Sequence, residues 1–307
     1  MSALNEAIGG SPLLYVSEDP EKNGWTQINT QGDPARNPRG GIVTMESFNG
    51  HIYVGTSPPG GFELWRTEGA EPETNRWKLV VDKGAGDALN EIPLTLGVFR
   101  DQLFVGTAIA FAVSSTDPNK KIVPPKPFDL IAVNRFDQWR VVVGGEPVLP
   151  TKPITGVRHQ GIYPSGFSDI SNGYCWQLRS FGGRFYLGTW DWSDLIPPFI
   201  SSLGNVNQGV LIQMMDWLQN PANLFGLVKE YNLKPLLKLL KGSLAGFFTH
   251  MGFDLYVSNN GIYWEPVTLD GLDNPCNYGL RNLFPSRDGR LYIGTANPFQ
   301  GCEVWRN

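Results

Sequence analysis

Short apolar stretches alternate with polar residues along the chain, and one such stretch occurs four times. The copies are HIYVGTSP, QLFVGTAI, RFYLGTWD and RLYIGTAN, beginning at His51, Gln102, Arg184 and Arg290. Apolar residues at every second position, followed by Gly-Thr, predict a β-strand. Because the strand recurs, we predict a repeat fold in which each copy belongs to one supersecondary unit.

Each copy lies among other predicted strands. An apolar stretch that ends in a turn precedes it. After a variable gap comes a strand that opens with an aromatic residue or cysteine and then an acid: FELWRT, FDLIAV, FDLYVS and CEVWRN. A Trp-containing strand follows in three units, and a similar one, GWTQIN, lies near the N-terminus. We name these strands A, B, C and D. Four short antiparallel strands per unit are typical of a β-propeller blade.

The two ends of the chain complement each other. The last unit ends at CEVWRN without strand D, and GWTQIN is a strand D without A or B. We therefore predict an all-β fold, a β-propeller whose ring is closed by the N- and C-terminal strands, because closure removes exposed sheet edges. The A and B pairs favour four blades in a single domain, 1–307. The stretch LLYVSED, just before GWTQIN, also resembles a strand C and leaves five blades open.

One predicted turn between strands C and D reads VSNNGIYW, from Val257 to Trp264. It resembles the Asp-box turn of the sialidase-like (BNR) β-propellers, Ser-x-Asp-x-Gly-x-x-Trp, with Asn260 in the Asp position and one residue fewer. The resemblance implies a propeller architecture. It implies no catalytic residues, because Asp boxes lie on the face away from the active site.

The middle two units contain extra residues, at 108–127, 145–173 and 190–252. In an up-and-down blade these B-to-C and D-to-A connections emerge on one face, so we predict a functional site on that rim. The insertion 190–252 alternates apolar clusters with lysines, which predicts a partly helical cap. The cap is interpreted as a lid over an apolar ligand. A homodimer interface or membrane-surface contact through residues 195–250 remains open.

Candidate chemistry concentrates near this cap. Two of the three histidines lie in the insertions, and the sequence TWDWSD leaves strand B where the cap begins. Side chains that exchange protons near neutral pH are candidate catalytic groups. They are His250, Asp191, His159, Asp194 and Tyr163. Aromatic or charged side chains predicted near the channel mouth are candidate substrate-binding groups. They are Trp190, Trp192, Arg158, Arg179, Arg281, Glu46 and Tyr174.

Two repeated polar positions also line the predicted rim. The D-to-A loops contain an acid followed by Asn, and the acids are Asp33, Asp87, Asp169 and Asp273. Such a ring of oxygen ligands would suit calcium. The interpretation we favour is that these residues form the turns through side-chain to backbone hydrogen bonds. The acids that open strand C, at 63, 129, 254 and 303, are likewise predicted to be part of the scaffold.

Charge and composition narrow the function classes. The net charge of −4 and the sequence pI of about 5.5 provide no basic surface for nucleic acid. Three cysteines form no metal-binding spacing, and no signal segment opens the sequence, so we expect a cytoplasmic protein. The leading hypothesis is an enzyme that encloses a largely apolar small molecule and performs cofactor-free acid-base chemistry, such as cyclisation, alkylation or elimination. The alternatives are a glycan-binding, lectin-like propeller and a scaffold for a protein or membrane.

Overall fold

The computed structural model describes residues 2–4, 12–28, 33–108, 126–169, 171–193 and 251–307. This part of the chain is mainly β, in four antiparallel sheets. Residues 194–250, which comprise most of the predicted cap and include Asp194 and His250, lie outside the described residues. Residues 109–125 of the first insertion also lie outside them. Among the described residues, no helix has the length and apolar character needed to cross a membrane.

The strands follow one another in chain order. The N-terminal sheet contains β1 (Ser2–Leu4), β2 (Pro12–Val16) and β3 (Thr26–Ile28). The second sheet contains β4 (Gly41–Phe48), β5 (His51–Ser57), β6 (Glu63–Thr67) and β7 (Trp77–Val81). The third contains β8 (Ile92–Phe99), β9 (Gln102–Ala108), β10 (Leu130–Asn134) and β11 (Trp139–Val143).

The last sheet has seven strands and combines two predicted units. One unit is β12 (Asn172–Phe181), β13 (Arg184–Asp191), β14 (Leu255–Ser258) and β15 (Trp264–Thr268). The other is β16 (Gly279–Pro285), β17 (Leu291–Ala296) and β18 (Val304–Arg306). Two single turns, α1 (Lys83–Gly86) and a 3₁₀ turn (Ser165–Ser168), lie in D-to-A loops. We call the units that begin at β4, β8, β12 and β16 units 1 to 4.

The units are arranged side by side through their first strands. Strand β4 contacts β8, β8 contacts β12, and β12 contacts β16. Aromatic side chains fill the space between neighbouring units; for example, the rings of Phe99 and Phe185 stack with their centroids 5.1 Å apart. The prediction of an all-β fold is confirmed, and the order of strands within the units is compatible with propeller blades.

The glycine and the threonine of the Gly-Thr pair have different structural roles. The glycine makes room for the first strand of the next unit. A Cβ at Gly55 would lie 2.8 Å from Cγ of Pro93, and a Cβ at Gly188 would lie 2.8 Å from Cβ of Leu280. In units 2 to 4 the threonine hydroxyl accepts the backbone N–H of the acid that opens strand C. The distance is 2.9 Å from Asp254 to Thr189.

A second repeated contact, which we call the latch, joins each unit to the next. The residue before the strand C acid donates its N–H to the carbonyl of an asparagine in the following D-to-A loop. The pairs are Phe62 with Asn90 at 2.7 Å, Phe128 with Asn172 at 3.0 Å, and Phe253 with Asn277 at 2.8 Å. The asparagine amide also donates to the acid of its own unit, over 2.9 Å to Asp129, 2.7 Å to Asp254 and 2.8 Å to Glu303. The scaffold interpretation is therefore confirmed for Asp129, Asp254 and Glu303.

The two ends of the described chain do not pair with each other. Strand β3 pairs with β2, and β18 pairs with β17. Val304 and Trp305 on β18 are 76% and 42% exposed. The three atoms nearest to a Cβ at Gly294 would all belong to Asn282 of its own unit, the closest at 3.3 Å. Within the described ranges, the predicted closure of the ring by pairing of β3 with β18 is therefore not confirmed.

The turn that resembles an Asp box uses Asn260 as its capping residue. The Asn260 Oδ1 atom accepts the N–H groups of Ile262 and Tyr263, each at 2.9 Å. The hydroxyl of Ser258 accepts the N–H of Gly261 at 2.8 Å, and Trp264 is buried behind the turn. Because the amide oxygen makes the bonds a carboxylate would make, asparagine serves in the Asp position.

Candidate functional site

A β-bulge occurs at the same place in the first strand of every unit. In each pair of A and B strands, one extra residue lies between the partners of the Thr and the Gly of the repeat. The four bulge residues are Val43, Leu94, Trp176 and Arg281. A bulge re-aims side chains and is frequent beside functional sites. The four residues differ in chemistry, so the bulges give the units different surfaces.

The bulge register changes the place of one predicted residue. When the four units are aligned by sequence alone, Arg281 falls at the same position of strand A as Glu46, Gly97 and Arg179. These three residues pair with Tyr53, Phe104 and Tyr186, and the corresponding partner of Tyr292 is Phe284. Arg281 therefore lies at the level of Trp176. Glu46 is half-buried and accepts the N–H of Ser47 at 3.0 Å, whereas Arg179 is exposed.

Four aromatic residues meet where units 3 and 4 join. We call Tyr174, Trp176, Trp190 and Tyr278 the aromatic cluster. The ring centroids of Tyr174 and Trp190 are 4.3 Å apart, and Tyr278 lies 6.3 Å from Trp176 and 6.4 Å from Trp190. The Arg281 guanidinium lies over the Trp176 ring, 4.8 Å from its centroid. Trp190 is buried and the other three are half-buried, so the cluster presents part of its aromatic surface.

Backbone contacts hold the cluster in place. Strand β13 pairs with β16 at Trp190 and Gly279, and the N–H of Asp191 donates to the carbonyl of Tyr278 at 2.8 Å. A side chain at Gly279 would overlap the ring of Trp176, so glycine allows this ring to lie flat against the backbone. Burial raises the pKa of the Tyr174 hydroxyl. The cluster therefore lies on a fixed backbone, with Tyr174 neutral at physiological pH.

Asp191 lies beside the cluster as a buried turn residue. Its Oδ1 atom accepts the N–H of Ser193 at 2.6 Å, and its Oδ2 atom accepts the hydroxyl of Ser171 at 2.8 Å. Burial, with a smaller contribution from Asp169, raises the pKa of Asp191 well above its usual value. Unit 4 has Asn297 at the same position, and it accepts backbone N–H groups in the same kind of turn. The turn is thus formed in both units, and Asp191 differs from Asn297 in carrying a titratable group.

The other predicted catalytic residues have different surroundings. His159 is exposed and lines an open groove of about 510 Å³ together with residues such as Glu146 and Thr151. The Tyr163 hydroxyl accepts the backbone N–H of Trp264 at 3.0 Å, so it contacts the Asp-box-like turn. The structure therefore gives both residues surroundings that differ from those of Asp191.

Two of the predicted substrate-binding residues are also held by the scaffold. The Arg158 guanidinium donates to the Asp129 carboxylate at 2.9 Å and is nearly buried. The N–H of Trp192 donates to the carbonyl of Ser171 at 3.0 Å, and its side chain is 5% exposed. Of the predicted set, the aromatic cluster thus brings together Tyr174, Trp190 and Arg281, with Asp191 adjacent.

The acids of the predicted calcium ring mostly complete their own turns. The Oδ1 atom of Asp33 accepts the N–H of Ala35 at 2.9 Å, that of Asp87 accepts the N–H of Leu89 at 3.0 Å, and that of Asp169 accepts the N–H of Ser171 at 2.8 Å. Asp273 is exposed. In the ranges given above, no three His, Cys, Asp or Glu side chains are grouped to hold a metal. The turn interpretation is confirmed for these three acids.

The strand C acids differ in their electrostatics although they occupy one position. Burial favours the neutral form of Asp129, but Lys126 and Arg158 outweigh it and lower the pKa to about 2. For Asp254, burial raises the pKa to about 7 despite hydrogen bonds from Asn172 and Tyr256. The difference follows from the two cations beside Asp129.

Sequence reasoning missed Trp176, Tyr278 and Lys126. The first two lie next to predicted residues, but only the bulge shows that Trp176 is at the level of Arg281. Lys126 could have been found by comparing KPFD with MGFD, the tetrapeptides that end at Asp129 and Asp254.

Comparison with known proteins adds no family. No protein-family model matches the chain, and no curated protein is significantly similar to it in sequence. The resemblance to sialidase-like propellers therefore rests on the repeat and on the turn at residues 258–264.

Proposed function

We propose that the aromatic cluster binds a largely apolar small molecule, and that the protein is an enzyme performing cofactor-free acid-base chemistry on it. The observation that carries the proposal is the meeting of Tyr174, Trp176 and Tyr278, all half-buried, with Arg281 at the seam between units 3 and 4. Aromatic rings bury a large apolar area on binding. The guanidinium adds a preference for a ligand with an anionic or π-rich group.

The acid-base part of the proposal rests on Asp191. Burial raises the pKa of the Asp191 carboxyl, so this group holds a proton to higher pH than an ordinary Asp and can supply it as a general acid. Its side chain is fully buried, so the proton would reach a substrate through the Ser171 hydroxyl, which is 2.8 Å from Asp191 Oδ2, while the backbone N–H of Ser193 holds Oδ1 in place. His250 and Asp194 stay predictions from the sequence. Cyclisation, alkylation and elimination are the reaction classes compatible with these groups.

The bulge residues favour a single site over a lectin-like set of repeated sites. A lectin-like propeller would offer similar sugar-stacking surfaces on several blades. Here the equivalent positions carry Val43, Leu94, Trp176 and Arg281, so only the seam between units 3 and 4 carries a bulge Trp. A homodimer or membrane contact through residues 195–250 remains a prediction about residues outside the described ranges.

For the architecture, we propose a propeller of five blades. Strands β1 to β3 form a sheet of their own and β1 lies against β4, which supports a blade preceding unit 1. In this arrangement the first and last blades each have three strands. Pairing of β3 with β18 is not needed.

The binding proposal can be tested with anilinonaphthalene sulfonate, an apolar, aromatic and anionic fluorescent probe. Titration should give saturable binding that Trp176→Ala and Arg281→Ala each weaken about tenfold, equivalent to about 1.4 kcal/mol. Phe136→Ala is the matched control, because Phe136 is an exposed aromatic residue in another unit with Arg135 over its ring. Equal affinity in all variants would contradict the proposed binding site.

The enzymatic part needs a second assay. Wild-type and Asp191→Asn protein should be incubated with a panel of apolar aromatic compounds, and products followed by mass spectrometry. We expect turnover of a compound that competes with the probe. Asp191→Asn should lower kcat at unchanged probe affinity, because the amide keeps the turn but has no proton to release. Turnover unchanged by the substitution would remove Asp191 from the mechanism.

A further inference from the structure

Unit 2 contains a lysine ammonium buried among oxygens of its own scaffold. The Lys126 Nζ atom lies 2.9 Å from Oδ1 of Asn90, 2.9 Å from Oδ1 of Asp129 and 3.9 Å from Oδ2 of Asp87. Its side chain is 2% exposed. The three oxygens come from the asparagine of the latch, the acid of strand C and the acid of the D-to-A loop. The ammonium therefore brings a positive charge to these oxygens, which also accept hydrogen bonds from Thr107, Ser165 and Val148.

Unit 3 has the same oxygens in the same scaffold but no lysine. Asn172, Asp254 and Asp169 correspond to Asn90, Asp129 and Asp87. The amide of Asn172 donates to Oδ2 of Asp254 at 2.7 Å and to the carbonyl of Gly166 at 3.1 Å. The amide of Asn90 donates to Asp129 and to Gly84 in the same way, at 2.9 and 2.8 Å. Residue 251, three before the acid, is Met where unit 2 has Lys.

The two oxygens that face the ammonium in unit 2 lack a donor in unit 3. Oδ1 of Asn172 and Oδ1 of Asp254 are buried and have no hydrogen-bond partner in the part of the chain that the structure describes. The two residues are 0% and 2% exposed. Leaving a buried acceptor unsatisfied costs about 1–3 kcal/mol, and more for a charged group. These two acceptors correspond to the oxygens that the Lys126 ammonium contacts in unit 2, so a group with several N–H donors would satisfy both.

We propose that Asn172, Asp254 and Asp169 form a binding site for an ammonium-type cation, either the ammonium ion or the primary ammonium group of a small amine. The site shares no residue with the aromatic cluster and does not rest on the proposed function. A water molecule could also donate to both oxygens, but it would bring no positive charge to the Asp254 carboxylate. The two occupants therefore differ in how their binding depends on charge.

The first test measures the melting temperature in ammonium chloride, potassium chloride and tetramethylammonium chloride at equal ionic strength. At about pH 8, above the usual range of carboxyl pKa values, ammonium should raise the melting temperature by a few degrees relative to tetramethylammonium, which has no N–H donors. Methylammonium should act like ammonium. No difference between ammonium and tetramethylammonium would overturn the proposal, and so would an equal response to potassium, which also lacks N–H donors.

The pH dependence of the response gives a second readout. Asp254 faces Asp169, Asp270 and the hydroxyl of Tyr256, and burial raises its pKa to about 7. Because ionised Asp254 attracts a cation more strongly than the neutral acid does, the ammonium response should be larger at about pH 8 than at about pH 5. A response independent of pH would contradict a role for the carboxylate.

The decisive variant introduces into unit 3 the lysine that unit 2 has at the corresponding position. Met251→Lys changes MGFD to KGFD and supplies the ammonium from within the chain. We expect it to raise the melting temperature in tetramethylammonium chloride and to abolish the ammonium response. Met251→Leu is the matched control and should retain the response, whereas Asp254→Asn should lose it. If Met251→Lys does not fold, the other two variants still test the site. Loss of the ammonium response in Met251→Leu, or its retention in Asp254→Asn, would overturn the proposal.

Discussion

Gly188 on β13 lies directly against Leu280 on β16, the first strand of the next unit. A Cβ atom at Gly188 would stand 2.8 Å from the Leu280 Cβ, closer than carbon atoms pack in protein cores. Gly188→Ala should therefore lower the free energy of unfolding by about 1–3 kcal/mol through overpacking. Urea denaturation followed by tryptophan fluorescence measures this change.

Gly294→Ala is the control for this prediction, and it also tests whether another unit packs against strand β17 of unit 4. Gly294 is the fourth copy of the same glycine, but the three atoms nearest to a Cβ there would all belong to Asn282, the closest at 3.3 Å. We expect a cost of less than about 0.5 kcal/mol. A cost equal to that of Gly188→Ala would mean that unit 4 has a close neighbour there and that the ring closes as it does between the other units.

The buried ion pair of Lys126 and Asp129 gives a second prediction. Lys126→Met leaves the Asp129 carboxylate with one cation, Arg158, and should cost about 3–5 kcal/mol of unfolding free energy. Lys78→Met is the control, since Lys78 also pairs with an aspartate but is 49% exposed. It should cost less than about 1 kcal/mol. Equal costs would contradict a special role of the buried pair.

The same pair predicts an acid-dependent loss of stability. Neighbouring cations lower the pKa of Asp129 to about 2, below the value of 3.8 for an ordinary Asp. A lowered folded-state pKa contributes stability that is present above the unfolded pKa and is lost as the pH falls through the folded pKa. Between about pH 4 and pH 2, wild-type protein should lose more stability than Lys126→Met. Parallel denaturation curves of the two proteins across this range would contradict the shift.

Asp191 predicts a pH dependence of stability opposite to that of Asp129. Its pKa is raised by burial and by Asp169, so its contribution to stability is full below the unfolded pKa and is lost as the pH rises through the folded pKa. Asp191→Asn keeps the turn and has no ionisation to oppose. The variant should therefore gain stability relative to wild type as the pH is raised from about 4, measured by thermal denaturation. A constant difference between the two proteins would show that Asp191 ionises in the fold as it does in the unfolded chain.

The Asp-box-like turn gives a fourth prediction. Asn260→Ala removes the acceptor of two backbone N–H groups and should cost about 1–2 kcal/mol. Asn260→Asp keeps an oxygen at the same place and should stay within about 0.5 kcal/mol of wild type. If both variants lose equal stability, the turn depends on the amide group and is unlike an Asp box.

The repeat was predictable because its pattern lies within the sequence of each single unit. Alternating apolar positions and the Gly-Thr exit identify strand B, and the matching polar residues follow at fixed places. The place of Arg281 was not predictable in the same way. Pro285 pairs with Leu291 across a turn formed by residues 286–290, whereas Phe48 pairs with His51 across a turn of only residues 49 and 50. Because this turn is longer in unit 4, aligning the units by sequence placed Arg281 at the wrong level of strand A.

The ends of the chain were harder to predict for a physical reason. LLYVSED and GWTQIN lie next to each other in sequence, so their pairing as β2 and β3 needs only a short loop. Pairing of β3 with β18 would close a loop of nearly the whole chain, which has a larger entropic cost. Contacts such as that of Lys126 with Asn90 depend on where loops meet in space. For this reason, no periodic pattern in the sequence predicts them.

The latches described between Phe62 and Asn90, Phe128 and Asn172, and Phe253 and Asn277 have a consequence for how the molecule opens. Each latch joins only neighbouring units, so the amides should exchange with solvent in a graded order. The amides of β8 to β15, in the two units latched on both sides, should exchange slowest. Those of β4 to β7 and β16 to β18, latched on one side among the described residues, should exchange faster, and fraying of unit 4 should begin at Trp305.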